Sequence, residues 1–417
     1  MKKGWGKIFV ILIILITPLL LILNESGRST GLSKKEKVEE VEYLYKTIEE
    51  NYPFLEVNER LTGIDWLSKK EYYIKKAKET KTDEEYLGII STMIFELHNG
   101  HTQILKNKDE VMWLYNIYIH NNSWQRSMVD VIKDEKVMNR YRINKDDLEG
   151  DKDQGDIENA SKQVNVNARV KDIVEGKVGY VEIPKMISFF EMDKDEKLLS
   201  DYFNKVKNYQ ALVIDIRGNG GGDSAYWMMN IVEKLASKPY SNTTYLFLKD
   251  GEVVNKYKED LKKVHKDPYE SIENLDTTKL PNLPQEVKEK FKYYCYHTTT
   301  VSPKNSVGFK GNIYLLVDGV VYSSAEAFSV FAKESGFATL IGKTTGGDGI
   351  GSDPILLSLP KSGYILRMSK EMGTSSDGTC NEEYKTIPDY EVTIARKKEN
   401  YLDDECIQKV LELENLK

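Results

Sequence analysis

Between Val178 and Ile341 the chain alternates short, uninterrupted apolar runs with stretches of helical periodicity, and this alternation restricts the architecture more than any other feature. The runs are Val178–Ile183, Ala211–Ile216, Ile313–Val317 and Ala338–Ile341. A strand without polar alternation must be covered on both faces, so these runs predict a sheet buried between helices. The helices are expected up to Tyr209, over Ser224–Ala236, and over Ser324–Ser335 with Gly336 closing the last. A charged, proline-containing insertion occupies about 249–303, and Ile355–Leu359 with Tyr364–Met368, joined by Pro360-Lys361-Ser362-Gly363, predicts a hairpin.

Upstream the pattern is helical. Ser33 with Glu36 forms a capping box before Val38, Val41, Leu44, Tyr45 and Ile48, and Pro53 stops that helix. Thr82 with Glu85 opens a second, whose face carries Tyr86, Ile89, Ile90, Met93 and Leu97 before Asn99-Gly100. Residues 31–105 therefore read as a helical N-terminal domain, 106–170 as a charged connector and 171–417 as an α/β core. At 417 residues, two to three structural units are expected.

The first 30 residues differ from the rest. Lys2, Lys3 and Lys7 precede an uncharged apolar run from Ile8 to Leu23, the charge order of an export signal. Its sixteen residues rise about 24 Å, short of a roughly 30 Å hydrocarbon core, yet no small-x-small cleavage site follows. Both a removed signal peptide and a retained membrane anchor fit. Either places the body outside the cytoplasm, anchored to the cell membrane or secreted. A net charge of −7 argues against a nucleic-acid partner. Cys295, Cys380 and Cys406 are too few and too dispersed for a disulfide framework or a zinc site, although one pair could bridge in an oxidising compartment.

Two strand-turn-helix junctions carry the strongest chemical signals. At the first, Asp215-Ile216 runs into Arg217-Gly218-Asn219-Gly220-Gly221-Gly222, where backbone N–H groups can approach an anion. No Gly-Lys-Ser/Thr follows, and no third glycine falls at the dinucleotide spacing, which disfavours a nucleotide site. At the second, Asp318-Gly319-Val320-Val321-Tyr322 leads to Ser323-Ser324-Ala325-Glu326 at a helix start. A serine there is exposed beside N–H groups that favour a developing oxyanion, but Ser323 with Glu326 is also a capping box. Among His98, His101, His120, His265 and His297, His101 stands out as a base because it follows Asn99-Gly100 and opens a short strand, so its ring projects from an element end.

Taken in order, Asn99-Gly100-His101-Thr102, Val213–Gly222, Ser323–Glu326, Ile341–Gly349 and Glu382-Glu383 before Pro388-Asp389 resemble the serine peptidases that include carboxyl-terminal processing (tail-specific) proteases and the tricorn protease core. The resemblance implies an α/β (α+β) fold with a crotonase/Clp-protease-like ββα core. It implies Ser323 as nucleophile, with the N–H groups of Ser324 and of Gly220 or Gly221 as the oxyanion hole. The tail-specific branch uses a lysine base after its Thr-x-Gly step; Asp348 stands there, and the nearest substitute is Lys343. The tricorn-like branch uses a histidine held by a late carboxylate, which implies His101 with Glu382, or Glu383 in its place. That branch also has a polar residue beside its histidine, where this chain has Gly100, and Asn99 replaces a family aspartate.

The connector is short, charged and without a Gly-Leu-Gly-Phe-like loop, so no PDZ module is expected. The expected activity is an extracytoplasmic serine endopeptidase acting on peptides or unfolded segments, with no metal and no organic cofactor; the sequence leaves the oligomeric state open. The missing lysine and Asn99 motivate a different reading: a catalytically inactive, membrane-tethered peptide-binding, sensor or immunity protein of the same fold.

Overall fold

The computed structural model describes residues 31–120, 123–149, 166–264, 266 and 268–417. The N-terminal signal or anchor and His265 lie outside these residues. Among the described residues no helix is long and apolar enough to cross a membrane.

Thirteen strands among the described residues form three sheets. In chain order they are β1 (Gln103–Ile104), β2 (Arg169–Val174), β3 (Val178–Glu182), β4 (Ala211–Asp215), β5 (Tyr240–Leu248), β6 (Glu270–Ser271) and β7 (Tyr293–Val301). They continue with β8 (Asn312–Val317), β9 (Thr339–Gly342), β10 (Ile355–Ser358), β11 (Ile365–Met368), β12 (Met372–Thr374) and β13 (Tyr390–Glu391). The largest sheet runs β13-β9-β8-β4-β3-β2 and is parallel except for β2 at its edge.

The four apolar runs supply its centre, and their alternation sorts side chains between two cores. Val181, Leu212, Ile214 and Leu315 pack with Phe203, Trp227, Phe328 and Phe331 from the helices Asp193–Val206 and Ser324–Ser335 and from the Ser224–Leu235 segment. Tyr180, Val213, Tyr314 and Leu316 face the other way, against Cys406, Ile407 and Val410 of helix Glu405–Leu413. Period-two side-chain direction makes both faces apolar, as a covered parallel sheet requires. The expected Ser224–Ala236 helix contains one π turn, Met228–Val232.

Both upstream capping boxes form, at Ser33/Glu36 and Thr82/Glu85. The second helix ends at Phe95, and Leu97 is still buried in the turn beyond it. The helices that follow, including Lys108–Ile119, share one apolar core with β5, part of β7 and the hairpin β10–β11. The 249–303 insertion is therefore woven into that core: β7 pairs with β5 along Tyr240–Val301 to Leu248–Tyr293. Across the third sheet, β1 pairs antiparallel with β11, Gln103 opposite Arg367. That pairing carries the residues just before β1 to the carboxyl ends of β4, β8 and β9, where ligands of open parallel sheets bind.

Candidate active site

The turn after β8 holds Ser323 at φ 56°, ψ −125°, a conformation a non-glycine residue adopts only under strain. Its hydroxyl makes no capping bond to the following helix. The Glu326 carboxylate turns away, accepting from Asn381 Nδ2 (2.7 Å) and Thr386 Oγ1 (2.7 Å). The capping-box reading of Ser323 and Glu326 is thereby excluded. The adjoining glycine turn after β4 presses against this bend: a Cβ on Gly221 would lie 2.7 Å from Tyr322 O and 2.8 Å from Ser323 Cβ.

Ser323 Oγ lies 3.0 Å from His101 Nε2, and His101 Nδ1 lies 2.8 Å from Asp348 Oδ2. The partners set the tautomer, with Nδ1–H donating to the carboxylate and Nε2 open to the serine proton. Asp348 follows β9 at φ 51°, a second strained non-glycine position. Its Oδ2 also accepts from Asn99 Nδ2 (2.8 Å) and Tyr322 OH (3.0 Å). Burial alone would raise its pKa, but the bond to His101 and that ring's charge, with Asn99 and Tyr322, hold it below the ordinary aspartate value.

Glu382, expected to orient the histidine, does not touch it. Its Oε1 accepts from the same Asn99 Nδ2 that serves Asp348, at 3.1 Å. Burial and then the Asp348 charge push its pKa up to about 8, so at neutral pH it is largely a neutral acid. Two carboxyls on one amide cannot both ionise cheaply, and the one facing the imidazole keeps the charge. Asn99 answers this geometry. Its Nδ2 serves both carboxyls, while its Oδ1 accepts from His101 N (3.1 Å), Thr102 Oγ1 (2.9 Å) and Ser369 Oγ (3.1 Å). An aspartate at 99 would lack the Nδ2 hydrogens that serve Asp348 and Glu382 and would add a third carboxylate.

Glu383 and Lys343 also lie away from the nucleophile. Glu383 pairs with Arg60 Nη2 at 2.7 Å, and Lys343 pairs with Glu391 at 2.9 Å at the sheet edge. Neither meets Ser323, because the chain leaves β9 with Lys343 directed toward β13 and only later bends back to Asp348. Tyr322 was missed by sequence reasoning. Its hydroxyl accepts from Gly100 N–H (3.1 Å) and donates to Asp348, and a Cβ on Gly100 would lie 3.0 Å from its ring. The residue beside the histidine is thus a glycine that makes room for a hydroxyl from elsewhere.

Of the expected oxyanion donors, the N–H groups of Ser324 and Gly220 make no hydrogen bond among the described residues, and both residues line the cleft. Gly221 N–H is instead committed to Asn219 Oδ1 at 2.9 Å, which removes it from the hole. The cleft has a volume of about 710 Å³. Exposed Trp113 and Ile117 line one side of it and Lys185 to Ser188 another. Part of its wall is Lys370, fully buried, donating to Ser352 Oγ and Asp353 O (2.7 Å each) and lying 4.5 Å from the Trp124 ring centroid. No group of three His, Cys, Asp or Glu among the described residues could hold a metal ion. All three cysteines are buried and none is joined in a disulfide, so none of the candidate pairings forms.

The Glu382 carboxyl has a thermodynamic signature. Its folded pKa lies above the unfolded value near 4.5, so it contributes stability that is fully present below that pH and lost as pH rises through about 8. Between about pH 5 and 9, the melting temperature of wild type should therefore fall more steeply than that of Glu382→Gln. Parallel profiles would mean that this carboxyl ionises normally.

Comparison with known proteins gives one family: the sequence profile described as Peptidase family S41 matches residues 177–392. A candidate peptidase from Parabacteroides merdae ATCC 43184 superposes with TM-score 0.56 at 19% identity, over 92% of this chain and 97% of its own. Mature CPAF complexed with lactacystin superposes with TM-score 0.55 at 12% identity, over 92% and 98%. The tricorn protease matches 58% of this chain and 18% of its own, with TM-score 0.33 and 23% identity. None of the curated proteins is similar in sequence.

Proposed function

The chain belongs to peptidase family S41 and is a serine-type peptidase; from that premise we propose that it is an extracytoplasmic endopeptidase whose working groups are Ser323, His101 and Asp348. The single observation that carries the reading is the continuous Ser323 Oγ–His101–Asp348 chain of 3.0 and 2.8 Å contacts.

In this mechanism His101 Nε2 takes the Ser323 proton as Oγ attacks the scissile carbonyl. Asp348 holds Nδ1–H and stabilises the imidazolium that forms. The N–H groups of Ser324 and Gly220 donate to the oxyanion, the former at a helix N-terminus that favours negative charge. Collapse returns the proton from Nε2 to the leaving amine. Water, deprotonated by the same nitrogen, then releases the acyl group and regenerates Ser323. Glu382 stays neutral and fixes Asn99, which aligns Asp348. An open cleft with an apolar rim at Trp113 and Ile117 suits an extended or unfolded polypeptide. The basic-then-apolar N-terminus supports the location outside the cytoplasm.

A membrane-impermeant fluorophosphonate tests nucleophile and location together. It should label wild type in intact cells as well as in purified form, and label Ser323→Ala in neither. Undiminished labelling of Ser323→Ala, or purified wild type that does not react, would overturn the catalytic reading. Reaction of purified protein alone would overturn the location.

A further inference from the structure

We propose that Arg367 is a specificity-determining residue that draws a carboxylate of the substrate into the cleft beside the scissile bond; the proposal rests on the peptidase reading above. Arg367 sits on β11 between Leu366 and Met368, both fully buried in the helical core. Period-two alternation turns its side chain the opposite way, and it lines the same cleft as Ser323 and His101.

The guanidinium there lacks what half-buried and buried arginines elsewhere in the protein have. Arg60, Arg140 and Arg217 each pair with a carboxylate at 2.6 to 2.8 Å. Arg367 has no carboxylate within 4.0 Å among the described residues. Its Nε is buried without a hydrogen-bond partner, and Nη1 makes a long 3.4 Å contact with the His101 carbonyl. The neutral Tyr118 hydroxyl is hydrogen-bonded to the guanidinium and supplies no negative charge. Asp353, which also lines the cleft, is engaged by Gln125 Nε2 at 3.2 Å.

A guanidinium carries five donors in a planar fork that matches a carboxylate; the contacts with the His101 carbonyl and Tyr118 leave others open, and the buried Nε–H without a partner is costly. A substrate carboxylate would satisfy them with paired, charge-assisted bonds. Contact with the backbone of His101 sets the reach: at roughly 3.3 Å per extended residue, the acidic group lies within about three residues of the cleaved bond. An Asp or Glu side chain and a chain-terminal carboxylate share this chemistry.

The test uses matched peptides that are cleaved by the purified enzyme, carrying Glu or Gln at each of the three positions on either side of the bond. Each is made with a free and an amidated C-terminus. Wild type should favour the carboxylate partner of one matched pair by roughly 10- to 100-fold in kcat/KM, the range expected for a charged hydrogen bond. Arg367→Gln should bring that ratio to about one, and Arg367→Lys should restore part of it. Preference in the Glu/Gln pairs identifies a side chain; preference in the free/amidated pairs identifies a chain end. No preference in any pair for wild type, or a preference that survives Arg367→Gln while overall rates fall, overturns the proposal. If wild type cleaves nothing, the peptidase reading fails instead, and the same pairs are titrated against Ser323→Ala by fluorescence anisotropy. There, carboxylate-dependent affinity lost in Arg367→Gln/Ser323→Ala supports the role of Arg367, and equal affinities refute it.

Discussion

Asp348→Asn should lower kcat by about four orders of magnitude, while Glu382→Gln should cost less than about tenfold. An asparagine at 348 keeps the shape of the site but can present N–H to His101 Nδ1. The imidazole then carries its proton on Nε2, where it points at Ser323 and cannot accept. Glu382 is spared because it is already largely neutral at pH 7 and reaches the histidine only through Asn99. Glutamine retains an oxygen that can accept from Asn99 Nδ2. Turnover of a fluorogenic peptide at neutral pH measures both, with circular dichroism confirming that each variant is folded. The reverse order, with Glu382→Gln crippled and Asp348→Asn near wild type, would return the orienting role to the late carboxylate.

Arg217→Met should destabilise the fold by about 3–5 kcal/mol, because it leaves two buried carboxylates without their counter-charge. The Arg217 side chain is 1% exposed and bridges Asp215 and Asp404, themselves 0% and 1% exposed. Its Nε and Nη2 donate to Asp215 at 2.9 and 2.6 Å, and Nη1 and Nη2 donate to Asp404 at 3.0 and 2.9 Å. The arginine thus ties the end of β4, immediately before the oxyanion turn, to the N-terminus of the last helix. A loss of that size lowers the melting temperature by roughly 3–6 °C in a chain of this length. Replacing all three residues by apolar ones of similar volume should recover much of it, since a buried ion network contributes little beyond its own desolvation cost. Urea unfolding of Arg217→Met within about 1 kcal/mol of wild type would show that the pair does not act as drawn.

Local patterns carried much of the fold. The four apolar strands, both N-terminal capping boxes, the helix closed by Gly336 and the Ile355–Met368 hairpin depend on periodicity and turn chemistry within a few residues, which the sequence displays directly. The 249–303 insertion was not legible in the same way. Its role in the helical core comes from β7 pairing with β5, strands whose first residues lie more than 50 positions apart.

The site divides along the same line. Sequence by itself determined that Ser323 follows a strand and opens a helix, that a glycine turn lies at a neighbouring strand end, and that His101 projects from the end of a short element. Each of these is a property of one segment. Only the tertiary structure decided which carboxylate faces the imidazole. Asp348 and Glu382 are both buried acids reaching the same asparagine, and their roles separate only because the bend after β9 aims one of them at Nδ1. Asp348 was visible as a departure from the lysine expected there, but position along a chain does not reveal direction in space. The choice between Gly220 and Gly221 followed the same logic, made by where the Asn219 side chain folds back. Orientation and partnership arise from contacts between segments, and distances between segments are set when the chain packs.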